Sequence, residues 1–131
     1  MNRQRGFTLI ELMVVVVILG IIIMIAYPSY RNQAMKSRRS DAQVALTKAS
    51  FKMESCRSDL STYTGCTVPA TTEFGLYAVS VAIAVDGNSY TLTAAPVAGK
   101  GQDQDTGCGS LTLTSRGVKG STGGGADCWP G

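Results

Sequence analysis

From Phe7 to Tyr27 the sequence runs for 21 residues with Glu11 as its only charged side chain. A carboxylate in such a segment costs about 2.5–3.5 kcal/mol at the centre of a membrane-spanning helix and less near the end. It therefore needs a partner, a route to the interface or a proton. No Lys, Arg or His lies in the run, so any cationic partner of Glu11 comes from elsewhere.

The other reactive side chains are Cys56, Cys66, Cys108 and Cys128, all beyond the apolar run, in a chain without histidine. A zinc site would take its thiolates from closely spaced pairs, and no C-x-x-C is present. Disulfides account for the four better, and they place this part of the chain in an oxidising compartment. Three pairings are open. A redox role for Cys56 and Cys66 would need a cationic setting that lowers a thiol pKa, and only Arg57 stands beside them.

No nucleophile motif and no paired carboxylates suggest a catalytic centre, so neither catalytic residues nor a cofactor are expected. Asp103 and Asp105 make a thin case for calcium, against which a solvated acidic loop is the better account, and no metal is expected. Lys100, Arg116 and Lys119 are the candidate phosphate contacts if the chain binds DNA.

Overall charge is only +3, from 12 Lys+Arg against 9 Asp+Glu, which excludes a strongly basic nucleic-acid binder. Its distribution is uneven. Arg31 to Arg57 carries seven basic residues against Asp41 and Glu54, whereas Ser58 onward carries three against six acids. Opposite-signed halves suit subunits that stack, and a solvated helix face explains the basic stretch equally well.

The elements that carry these groups follow from pattern. At about 1.5 Å per residue, the run from Phe7 to Tyr27 covers roughly 30 Å as a helix, enough to cross a hydrocarbon core. Arg3 and Arg5 before it hold the N-terminal side in the cytoplasm. A cleavable secretory signal would have a shorter apolar region and small residues before the cut, and here Tyr27 and Tyr30 close the run. Pro28 either bends the helix or ends it.

Arg31 to Ser55 has no Gly or Pro, and Ala42, Leu46, Ala49 and Met53 form one helical stripe that packs on a sheet. The helix is expected to run from Phe7 to about Glu54, with Cys56 at its end and a connecting loop from Ser58 to Gly75. Strand patterns follow over Leu76–Val85, Ser89–Ala95 and Ser110–Ser115, with a turn at Asp86-Gly87-Asn88 and room for a fourth edge strand. The fold class is α+β: a long helix, half membrane-spanning and half amphipathic, on an antiparallel sheet of three to four strands. The glycine-rich tail from Arg116 looks too flexible to hold a shape alone, and a Cys108–Cys128 bridge, closing a loop of about 20 residues, would pin it for roughly 3 kcal/mol.

The segment Gly6-Phe7-Thr8-Leu9-Ile10-Glu11-Leu12 resembles the processing site of type IV prepilins, and Pro28 matches the same pattern. The resemblance is specific from Arg5 to about Ser40 and architectural beyond. It implies a leader over 1–6, cut between Gly6 and Phe7 by a prepilin peptidase that methylates the new N-terminus. A filament-core helix would follow over 7–30 and a pilin head over 31–131. It further implies that Glu11 of one subunit neutralises the Phe7 amine of its neighbour when subunits stack. The pairing Cys56–Cys66 with Cys108–Cys128 is favoured because each bridge closes one loop and pilins commonly close a C-terminal loop this way. Ser89-Tyr-Thr-Leu-Thr, Cys108-Gly-Ser-Leu-Thr-Leu, Gly117-Val-Lys-Gly and Cys128-Trp129 look most like PilE-like minor pilins of type IVa systems.

The function so implied is a structural pilus subunit. It would sit in the inner membrane before assembly and in an extracellular pilus afterwards, with other pilins, the peptidase and the assembly machinery as partners. A DNA-binding competence pilin and a pseudopilin of a type II secretion system share the same N-terminal logic.

Overall fold

The computed structural model describes residues 6–130. Met1–Arg5, which hold Arg3, Arg5 and most of the expected leader, and Gly131 lie outside the described residues.

A long α-helix, α1, runs Leu9–Leu60. By packing, the chain divides into a unit ending at Ala34 and one beginning at Met35. In the first unit every described residue up to Gln33 is exposed. An 18-residue window there has a mean hydropathy of 3.2, so by length and composition α1 is long and apolar enough to cross a membrane. A helix apolar all round finds its partners in lipid or in other helices. Pro28 lies inside α1 and does not end it.

The second unit is built on the other half of the helix. Ala42, Leu46, Ala49 and Met53 are buried, the expected stripe, and Arg39 and Asp41 are buried with them. The helix overshoots its expected end by more than a turn. Nothing in Ser55–Leu60 breaks it, and the stop comes at Ser61, whose φ of 59° puts a non-glycine residue in the left-handed region. Cys56 is therefore inside the helix.

Four strands form one sheet in the order β1-β2-β3-β4: β1 Tyr77–Ile83, β2 Tyr90–Pro96, β3 Leu111–Thr114 and β4 Lys119–Ser121. Each pairs antiparallel with the next, Val79 facing Ala94, Leu92 facing Leu113 and Thr112 facing Gly120. Period-two alternation puts Tyr77, Val79, Tyr90, Leu92, Ala94, Leu111 and Leu113 on the buried face, where they meet the helix stripe in one core.

The β1–β2 turn is fastened to the segment after α1. The Gly87 carbonyl accepts from Tyr63 N–H at 2.9 Å, and a Cβ on Gly87, which has φ +66°, would strike the hydroxyls of Thr62 and Thr64. Tyr63 packs edge-on against Tyr90 with centroids 4.7 Å apart, and both phenols donate to Glu54 Oε1, at 2.8 and 3.2 Å.

The glycine-rich tail does not stand alone: the Cys108–Cys128 bridge pins it, and backbone hydrogen bonds hold it besides. Beyond β4, Gly123 N–H donates to the Cys108 carbonyl and Gly125 N–H to the Gly107 carbonyl, both at 3.0 Å. A Cβ on Gly123 would run into the backbone of Gly107. Glycine serves here for close approach of two backbones rather than for freedom.

Candidate functional site

The first site of interest is the start of α1. Thr8 is the residue before the helix, and its hydroxyl accepts from Glu11 N–H at 3.3 Å while Glu11 Oε2 accepts from Thr8 N–H at 3.5 Å. This reciprocal capping box satisfies two of the four donors that a helix start leaves orphaned, and it sets a carboxylate at the positive end of the helix dipole. Glu11 thus has a local use that the sequence reading above does not assign. The signal is legible as Thr-x-x-Glu before an apolar run. Phe7, next to this cap, is 84% exposed.

The second site is the C-terminal loop of the head, which polar side chains of α1 hold. Two disulfides close loops, Cys56–Cys66 and Cys108–Cys128, with sequence separations of 10 and 20. Arg39 reaches the second loop with a two-pronged bond to Asp105, Nε to Oδ2 at 2.6 Å and an Nη to Oδ1 at 2.7 Å. Its third nitrogen donates to the Asp127 carbonyl at 3.2 Å. Gln43, one turn on, donates to the Cys128 carbonyl at 2.9 Å, and Gln102 donates back to the Met35 carbonyl at 3.0 Å. The Asp105 hydrogen bonds hold the Arg39 guanidinium above its ordinary pKa although burial opposes them. Burial pushes the nearby Tyr77 phenol up to about 12.

Asp105 is therefore not in a solvated acidic loop: it is 5% exposed, and its charge is taken by Arg39. Asp103 does separate work, accepting from the N–H groups of Gly99 and Gly101 at 3.4 and 3.1 Å. In the sequence Arg39 is one of seven basic residues between Arg31 and Arg57, and nothing in the charge pattern sets it apart from those that face solvent or a stacked subunit. Its position three residues before Ala42 on the buried stripe is the available clue.

The three candidate cations do not form one site. Lys119 lies on β4 with its ammonium 5.4 Å from the Trp129 ring centroid, and Arg116 is exposed in the β3–β4 connection. Lys100 lines a different hollow with Arg38, Phe74 and Leu76. Trp129 is held in place by its indole N–H, which donates to the Gly120 carbonyl at 2.9 Å.

Residues 1–27 match the prokaryotic N-terminal methylation motif, and residues 28–112 match the family described as type IV minor pilin ComP, DNA uptake sequence receptor. The chain belongs to the type IV minor pilin family.

This pilin is 50% identical over 42 residues to a fimbrial protein of Moraxella nonliquefaciens, covering 32% of this chain and 27% of that one. It is 41% identical over 58 residues to the type IV major fimbrial protein FimA of Dichelobacter nodosus, covering 44% and 37%. The type II secretion system core protein G of Klebsiella pneumoniae is 37% identical over 79 residues, covering 60% and 52%. The chain thus spans about a quarter to a half of the length of these relatives. A type IV pilin structure from Shewanella oneidensis superposes with a TM-score of 0.54 at 25% identity, covering 74% of this chain and 99% of that one. A long helix on a four-stranded antiparallel meander is thus the pilin fold. The leader motif and apolar helix of this chain fit membrane-anchored pilins that are later assembled into extracellular pili.

Proposed function

We propose that this minor pilin is cut between Gly6 and Phe7 by a prepilin peptidase, methylated on Phe7, and held in the inner membrane with its N-terminus cytoplasmic. The assembly machinery then draws it into the pilus, where Glu11 takes the Phe7 amine of an adjacent subunit. The observation that carries this reading is the geometry at Thr8 and Glu11. The carboxylate is fixed one turn into α1, its bond from Thr8 N–H is long at 3.5 Å, and the exposed Phe7 lies beside it. A carboxylate oxygen so held keeps acceptor capacity for a cation, and in a water-poor helix bundle such a pair is strongly favoured over two lone charges.

The test separates charge from capping. Glu11→Gln keeps an acceptor for Thr8 N–H and loses the charge, whereas Glu11→Val loses both. Both variants should be inserted and should yield, by mass spectrometry, a mature chain lacking residues 1–6 with a methylated Phe7. Both should assemble poorly, filament recovery falling at least tenfold, with Gln no better than Val by more than about 1 kcal/mol, the usual worth of a cap. Filament recovery at the wild-type level in Glu11→Gln would refute the charge pairing, and a mature chain retaining residues 1–6 would refute the processing.

A second reading is favoured by one observation, the description of the matching family as a DNA uptake sequence receptor. On this reading the head binds DNA through its exposed cations, Lys119 and Arg116 foremost. A gel shift with the full chain in detergent should show binding that weakens steeply with salt. Absence of any shift at low salt rules it out.

A further inference from the structure

We infer that the groove between α1 and Trp129 is a nucleic-acid contact, with phosphates at Lys48 and Lys119 and a sugar or base against the Trp129 ring. The inference rests on the DNA reading and adds to it a site, an aromatic plate and a helix residue that the candidate cations do not include.

The groove has two walls. Gln43, Val44, Thr47 and Lys48 of α1 form one, and Lys119, Trp129 and Pro130 the other, around a hollow of about 330 Å³. A second hollow of about 270 Å³ opens between β4 and the glycine-rich turn, and Lys119 and Trp129 line it as well. The indole therefore borders both hollows, with the same lysine serving each. Among the described residues, the lining of the first holds two lysines and no carboxylate, so its charge complements a polyanion.

The plate is set before any ligand arrives. The indole N–H is spent on the Gly120 carbonyl, the preceding Cys128 is in a disulfide, and the Cys128 carbonyl is held from the helix by Gln43. A ring so fixed loses little entropy on stacking, and aromatic contacts of this kind tolerate any base. The two ammonium groups are available. Lys48 has only a 3.9 Å pair with Glu73 in which both side chains are about three-quarters exposed, an interaction of small worth that a phosphate replaces readily. Lys119 lies over the ring it would share with the ligand. Val44, half exposed between the walls, adds an apolar surface for deoxyribose. Lys100 takes no part, because it lines a different hollow.

Trp129 is the only tryptophan in the chain, so a change of its emission in the folded protein reports the surface around this ring. The full chain in detergent is titrated with a short DNA duplex, with its separated strands and with polyglutamate, across a range of salt. Binding by either DNA form should change Trp129 emission saturably, and polyglutamate at equal charge should not. The slope of log affinity against log salt should lose about 0.9 with Lys48→Ala, about 0.9 with Lys119→Ala and about 1.8 with both on a duplex, while Lys100→Ala leaves emission change and slope unaltered. Trp129→Leu, followed by anisotropy of labelled DNA, should weaken binding by about an order of magnitude. Both lysines are exposed, so an unchanged melting temperature in the double lysine variant shows that any loss is one of contact.

DNA binding with silent Trp129 emission and an unaltered slope in the double lysine variant would overturn the groove and leave the DNA reading standing. No binding of either DNA form at any salt would end that reading, and the groove with it. Equal response to polyglutamate would show an unspecific anion surface, which also overturns the inference.

Discussion

Arg39→Met should be the most destructive single change in the head. The substitution keeps a long unbranched side chain on the buried stripe and removes three hydrogen bonds, at 2.6, 2.7 and 3.2 Å. Asp105, whose side chain is 4% exposed, is then left with the Gln102 amide at 3.3 Å as its side-chain partner. Breaking one side of a buried ion pair costs about 3–5 kcal/mol, mostly for the stranded charge. The double variant Arg39→Met with Asp105→Leu removes that charge and should return to within about 1–2 kcal/mol of the parent. Urea unfolding of the full chain in detergent, disulfides intact and followed by Trp129 fluorescence, measures both. With a slope near 2 kcal/mol per molar, the single change lowers the midpoint by roughly 2 M. A single variant within 1 kcal/mol of the parent, or a double variant no better than the single, would refute the reasoning.

Two further outcomes follow from the head. Tyr77 is neutral in the fold up to about pH 12 because it is buried, and in the unfolded chain it ionises near 10, so its contribution to stability is complete below pH 10 and lost between 10 and about 12. Calorimetry across that window should show a steeper fall for the parent than for Tyr77→Phe. Gly123→Ala drives a methyl into the Gly107 backbone and should cost about 1–3 kcal/mol in the same urea experiment, whereas an unchanged midpoint would mean that the loop is loose after all.

Periodic features were the most legible in the sequence. The buried stripe at Ala42, Leu46, Ala49 and Met53 and the alternation through Tyr90, Leu92 and Ala94 are amplitude signals repeated over many residues, and the core is made of them. Single-residue events were less so. The end of α1 slipped past Cys56 because Ser58 and Asp59 are turn formers that a packed helix tolerates in its last turn. The bridge that pins the tail was legible, but the packing of its glycines was not, because a glycine chosen for close backbone approach has the same letter as one chosen for freedom. Arg39 and Asp105 are 66 residues apart, and no local pattern links them. The Thr8–Glu11 cap is legible as Thr-x-x-Glu before an apolar run, although the cost of a carboxylate in that run is the more conspicuous property of Glu11.

Because Cys56 sits within α1 and not after it, the tie to Cys66 meets the rod short of its last residue, Leu60. Any pull on the head through the segment after Leu60 is thus delivered into wound backbone by a sulfur strut, bypassing the final turn, whose individual amide links would otherwise peel away in sequence. A thread made of such subunits can bear tension without first unravelling its helices at that point.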